Sequence, residues 1–274
     1  MRAKLLLGLA VVATWLVGWP TAASAQMLIW SLPEDQAAWI RFEGTYKQTR
    51  ARPNSNAGDE VIEWRSELTI SSLGREEAAD GSGSAPVPCR WVEFKTETKP
   101  AGVDNKTGPA DVYIYKVLIP EHRVIGKIID DDTIPVTFLP IVKGYRRVGQ
   151  RPVEPVKEKA LAIYPTIARV TYYADLKAEG SGEPVQIGGN SVEAKLFKGS
   201  RLIKQKTTRS SNVASLWRTD EVPFGLARYH VVETTEQKGL GATDAEFQRI
   251  GSVEVDMTAV ATGNDSRSEL PDSK

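Results

Sequence analysis

The sequence predicts a mainly β protein: an antiparallel curved sheet or half-barrel with one or two short helices packed on it. Three observations carry that expectation. Val, Ile, Thr, Tyr and Trp cluster in short runs bounded by Gly, Pro, Asn and Asp. In the clearest run Ile62, Trp64, Leu68 and Ile70 fall on one parity, while Glu63, Arg65, Glu67 and Thr69 fall on the other, so one face is buried and the other wet. Turn signals recur at roughly 10–20 residue intervals, a spacing that suits antiparallel sheets better than parallel βαβ units.

Taken in order, Ser31-Leu32-Pro33-Glu34 fits a capping box with Pro in the first turn, which predicts a single helical turn to about residue 37. Strands follow at about residues 40–48, 61–73, 89–96 and 112–119, and the last three suggest an antiparallel meander. Residues 121–129 fit a strand or a short helix. Pro135 and Pro140 then demote the apolar run 134–142 to an edge strand or packed loop. Residues 144–158, with Arg146, Arg147, Arg151, Pro152 and Pro155, read as a stiff basic crossover, and 157–163 as one or two helical turns before Pro165. A second β set is expected at 167–176, 185–197, 202–208, 213–217, 226–235 and 247–257, with Lys198-Gly199-Ser200 among its turns. Residues 261–274 lack an apolar period and read as a disordered tail.

The chain has 274 residues, with 35 basic side chains against 35 acidic ones, two His and one Cys. Neutrality argues against a nucleic-acid binder, which needs a basic surplus to displace counterions. A lone Cys excludes an intrachain disulfide, a tetrathiolate zinc site and an iron–sulfur cluster. The first 25 residues read as a targeting segment. Arg2 and Lys4 precede an apolar stretch, residues 5–17, that is shorter than the ~20 residues of a membrane span. Ala23-Ser24-Ala25 supplies the small-x-small pattern of a signal peptidase site, which puts cleavage after Ala25. The expected product is a periplasmic or extracellular protein of roughly 249 residues, slightly acidic once Arg2 and Lys4 are lost and without a stable membrane span. Residues 26–260 are expected to form one large β-rich domain, with a two-part division near 144–166 left open.

Several blocks resemble those of an uncharacterised family of exported bacterial β-rich proteins: Trp30-Ser31-Leu32-Pro33-Glu34, Cys89-Arg90-Trp91-Val92-Glu93, Tyr115-Lys116-Val117-Leu118-Ile119-Pro120-Glu121, Phe138-Leu139-Pro140-Ile141-Val142-Lys143-Gly144-Tyr145 and Glu221-Val222-Pro223-Phe224-Gly225-Leu226-Ala227. That resemblance implies no activity. The block from Val192 through Trp217 to Gly225 is also similar to the periplasmic lipoprotein-carrier (LolA/LolB-like) class. Its members wrap a curved antiparallel half-barrel around an apolar groove, which implies a lipid-binding-like role and transfers no catalytic residue.

Chemistry-bearing residues are sparse. His122 and His230 lie far apart and outside any HExxH pattern. Asp130, Asp131 and Asp132 offer oxygen ligands for a hard cation, yet lack the Gly and distal Glu of a calcium loop. Cys89 shares the parity of Trp91 and reads as a buried small hydrophobe. No cofactor, metal site or catalytic residue is expected. The aromatics are more suggestive: Trp64, Trp91, Phe94, Tyr113, Tyr115, Phe138, Trp217 and Phe224 could line a groove for an apolar small molecule or lipid, or fill a large interior. The favoured reading is therefore a non-catalytic exported binding or scaffolding protein, whose partner is such a ligand or another envelope protein. The alternative is a hydrolase with a site around His122, Glu121 and Asp130 to Asp132.

Overall fold

A computed structural model describes residues 28–52, 58–80, 85–101, 111–124, 139–158, 160–161 and 168–270. The expected signal segment lies outside the described residues, as do Phe138 and Asp130, Asp131 and Asp132.

Four long strands, β1 (Trp39–Arg50), β2 (Glu60–Ala78), β3 (Val87–Pro100) and β4 (Asp111–Pro120), form a consecutive antiparallel meander. A single helical turn, α1 (Glu121–Val124), leads away from β4. β5 (Leu139–Pro140) is too short to join the meander, whereas β6 (Lys143–Val148) pairs with β4 and then with β7 (Glu154–Pro155). β8 (Ala160–Leu161) pairs with β5 in a separate two-stranded ladder. After β9 (Lys177–Ala178) comes a second meander: β10 (Glu183–Ile187), β11 (Asn190–Lys204), β12 (Thr208–Arg218), β13 (Leu226–Gln237) and β14 (Gln248–Gly263). Its last strand lies antiparallel against β1 along the whole of β1. The two meanders thus form one antiparallel sheet of twelve strands, which remains open because β10 and β7 end its path.

Alternation explains which face is inner. Ile40 and Phe42, Leu68 and Ile70, Val92 and Phe94, Val117 and Ile119, Tyr229 and Val231, and Val255 and Met257 project from neighbouring strands into one buried cluster. An open sheet cannot bury that face against itself, and the chain supplies the cover. Leu28, Ile29 and Trp30 are buried against it, with the Trp30 N–H donating to the Phe224 carbonyl at 2.8 Å and its ring 5.0 Å from that of Phe197. Ala168, Val170 and Tyr173 cover another part, and Leu139 and Ile141 a third. Each large side chain so enclosed contributes about 1.5–3 kcal/mol.

The β10–β11 hairpin also turns inward. Gly188 and Gly189 take left-handed φ values of 57° and 86°, and the Gly188 N–H reaches the Val260 carbonyl at 3.0 Å. The sheet curves enough for β10 and β14, separated by three others in its order, to meet.

Several local expectations give way to tertiary contacts. Residues 31–37 do not form a helical turn: the Ala37 N–H donates to Asp35 Oδ1, and the Pro33 carbonyl that a helix would offer it accepts Arg90 Nη1. Residues 168–176 are a packed loop rather than a strand, pinned where Asn212 Nδ2 donates to the Arg169 carbonyl. The expected basic crossover contains β6, whose Arg146 finds Glu154 on β7. The expected helical turns at 157–163 include Ala160 and Leu161, whose backbone instead pairs with β5.

Lys198-Gly199-Ser200 is no turn; β11 runs straight through it. A Cβ at Gly199 would lie 2.6 Å from Tyr173 Cβ, so glycine is there to let the 168–176 loop close down. Gly199→Ala is expected to cost about 1–3 kcal/mol in a denaturant titration, and less in a Tyr173→Gly background, which removes the Cβ it would meet.

Nor are residues 261–270 a disordered tail. Residues up to Gly263 complete β14, and 264–270 cross the outer face as a strap. Trp39 Nε1 donates to Asp265 Oδ1 at 2.8 Å, Ser266 Oγ to the Ser72 carbonyl at 2.6 Å, and Ser268 Oγ to Glu93 Oε2 at 2.7 Å. Lys95 pairs with Glu269, and Leu270 is buried. Periodicity could not reveal this because the strap binds through single polar side chains.

Glu93 lies beneath the strap. Burial pushes its carboxyl above the ordinary 4.5, although Ser268 and the Glu269 N–H donate to it. Native Glu93 therefore holds its proton to higher pH than the unfolded chain does. Its contribution is fully present below 4.5 and is lost as pH rises through the raised value. Thermal melts from about pH 4 to 7 are expected to show the wild type losing ground relative to Glu93→Gln. Parallel profiles would contradict this.

Candidate functional site

The described aromatics among those singled out from sequence do not line one groove. Phe94 and Phe224 are wholly buried in the core, and Tyr115 packs against its edge. Trp64 stands on the inner face of β2, edge-on to Tyr46 at 5.4 Å, and Tyr113 is exposed. Trp91 projects from the opposite face of β3, between Tyr145 at 6.3 Å and the ammonium groups of Lys116 and Lys143. Trp217 stacks on the Arg228 guanidinium at 4.6 Å and donates through Nε1 to Glu183. Arg228 in turn pairs with Asp256, whose neighbours Val255 and Met257 point the other way, so Trp217 belongs to the outer side.

Of the residues of the alternative reading, Asp130, Asp131 and Asp132 lie outside the described residues, and Glu121 is engaged within the fold. Glu121 accepts Arg75 Nε at 2.8 Å and Arg90 Nε at 2.9 Å. Those two guanidiniums outweigh partial burial and hold its carboxyl below the usual range, which suits neither a proton donor nor a strong base. The Arg90 side chain is completely buried and also donates to Ser72 Oγ and the Pro33 carbonyl, so this cluster fastens α1 and residue 33 to the sheet. His122 lies 3.6 Å from Asp80, and His230 sits on the β13 surface 3.0 Å from Glu254. Among the described residues no group of His, Cys, Asp or Glu is arranged to hold a metal ion.

A different region of the inner face is chemically richer. Moving along β12 from Leu216 and Ala214, the same parity continues as Asn212 and Ser210; along β13, Tyr229 and Val231 give way to Glu233. The face turns polar where the apolar cover ends. Here the 168–176 loop brings Arg169 and Thr171 over the sheet, and β11 contributes Arg201 and Ile203. Together they enclose a cleft of about 140 Å³.

Each wall is fixed by named bonds. Asn212 donates to the Arg169 carbonyl at 2.9 Å and accepts from Tyr173 Oη at 2.6 Å, tying loop to strand from both ends of its amide. Burial pushes the Tyr173 phenol up, so it remains a neutral donor. Arg169 holds a left-handed backbone, φ 58°, rare for a residue with a side chain. Its Nη2 donates to Tyr46 Oη at 2.9 Å, and its Nη1 lies 3.7 Å from Glu233. Arg201 Nη1 donates to Thr171 Oγ1 at 2.6 Å. The arrangement presents two oriented guanidiniums against one carboxylate. Sequence reasoning passed over both arginines because nothing in a linear pattern sets Arg169 beside Arg201.

A wider groove of about 720 Å³ lies at the β13–β14 end. Its charged side chains are already engaged, Lys238 with Asp244, Arg249 with Asp59 and Glu246 with Thr243.

No protein-family model matches the chain, and no curated protein matches it in sequence.

Cys89 is wholly buried, and desolvation pushes its thiol up to about 11. Iodoacetamide at neutral pH is expected to leave the native protein unmodified and to add one adduct in denaturant, read by intact mass. Adduct formation at equal rates in both conditions would contradict this.

Proposed function

We propose that the protein is an exported, non-catalytic binding protein that takes a small ligand at the polar end of its inner face. The observation that carries this reading is the cleft between the 168–176 loop, β11, β12 and β13, whose wall residues are held by hydrogen bonds within the fold. Walls fixed in this way bind at lower entropic cost than mobile loops. The apolar part of the same face is covered by Leu28, Ile29, Trp30 and the 168–176 loop, which favours a ligand seated at the polar end over an acyl chain lying along the sheet. Export is supported by the leader expected at residues 1–25, and the ligand would come from the envelope or its surroundings.

The test is to purify the mature protein from periplasm and measure its melting temperature with fractionated envelope extract, separated into neutral and anionic small molecules and lipids. At least one fraction is expected to raise the midpoint by several degrees, as mass action requires of a ligand that prefers the native state. Absence of any shift, with native mass spectrometry showing only the bare chain, would leave a scaffolding role in its place.

A further inference from the structure

Resting on that binding reading, we infer that Arg169 and Arg201 form an oxyanion clamp, and that the ligand carries a carboxylate or a phosphate. Two guanidiniums enter one cleft that holds a single carboxylate, Glu233, so the cleft keeps a positive surplus in a chain of zero formal net charge. The hydrogen bonds that orient them come from neutral partners, Tyr46 Oη and Thr171 Oγ1, which fix each side chain without neutralising it. Arg169 Nε is shut away from solvent with no hydrogen-bond partner among the described residues, leaving a charged donor group unsatisfied. Arg169 Nη1 lies 3.7 Å from Glu233 Oε2, a loose pairing beyond hydrogen-bond range.

The strain points the same way. A left-handed arginine persists only where surrounding contacts over-determine it, and such residues cluster at ligand clamps. Asn212, itself held by Tyr173, fixes the Arg169 carbonyl, and the side chain reaches Tyr46 on β1 and Glu233 on β13. The planar guanidinium fork matches carboxylate and phosphate oxygens, which accept two parallel N–H bonds each. Ser210 Oγ lies in the same wall, 3.5 Å from Glu233 Oε1, close enough to turn toward an incoming oxygen. About 140 Å³ holds several times the ~30 Å³ share of one water, enough for an oxyanion with a few attached carbons but not for a whole lipid. Ile203, 46 % exposed at the rim, offers an apolar surface to those carbons.

The experiment uses the full mature protein in isothermal titration calorimetry with inorganic phosphate, octanoate and the uncharged control octanol. Sedimentation with phosphatidylglycerol and phosphatidylcholine vesicles separates a free oxyanion from a lipid headgroup. Octanoate, phosphate or phosphatidylglycerol vesicles are expected to bind, and octanol and phosphatidylcholine to bind weakly. Arg201→Gln, at an exposed position on β11, is expected to weaken binding about tenfold, the worth of a charge-assisted bond. Glu233→Gln, which removes the competing carboxylate, is expected to strengthen it several-fold. Circular dichroism on both variants establishes that they are folded, so that a loss of binding reports the site. If octanol binds as well as octanoate and Arg201→Gln changes nothing, the clamp is wrong while the binding reading stands. If no probe binds, the clamp is wrong, and the extract measurement decides the wider reading by itself.

Discussion

The pairing of the last strand with the first is the constraint on which the rest depends. β14 lies along the whole of β1, and only this ladder makes one sheet of two meanders that are each sequential within themselves. Through it the apolar side chains of both meanders join one buried cluster. The approach is close: a Cβ on Gly44 would fall 1.9 Å from the Asp256 carbonyl oxygen. Phe42 meets Tyr229 across the junction at 5.8 Å, so the core is continuous where the chain is not.

Because the sheet is open, its two faces solve different problems. The inner face is apolar and is covered by segments that have no regular structure of their own, residues 28–30 and 168–176. The outer face carries charge, and the C-terminal strap crosses it through Asp265, Ser266, Ser268 and Glu269. The clamp arises at the boundary between these solutions, where the 168–176 loop runs off the apolar floor and its polar residues meet Asn212, Ser210 and Glu233.

The long strands were legible because each repeats a two-residue alternation over enough positions to be unambiguous. Ile62, Trp64, Leu68 and Ile70 sit on β2 as their parity requires, with Leu68 and Ile70 buried. The elements that sequence misjudged are those whose backbone partners are remote. Pro33 gives its carbonyl to Arg90, Gly199 makes room for Tyr173, and Ser268 finds Glu93. Aromatic content was visible but not its direction, since Trp91 and Phe94 differ in parity on one strand and so face opposite sides of it. The candidate site was the least legible part: Arg169 and Arg201 come from a loop and a strand that share no motif.

By itself the sequence determined the β class, most of the strand positions and the seclusion of Cys89, because these follow from short-range periodicity and from the aversion of apolar groups to water. Only the tertiary structure decided that two meanders join into a single sheet, that the inner face is covered by the chain itself, and that two arginines line one cleft with Asn212. Hydrogen bonds between distant residues fix those outcomes. Their energy depends on geometry that exists only once the strands have paired, and no local pattern along the chain encodes it.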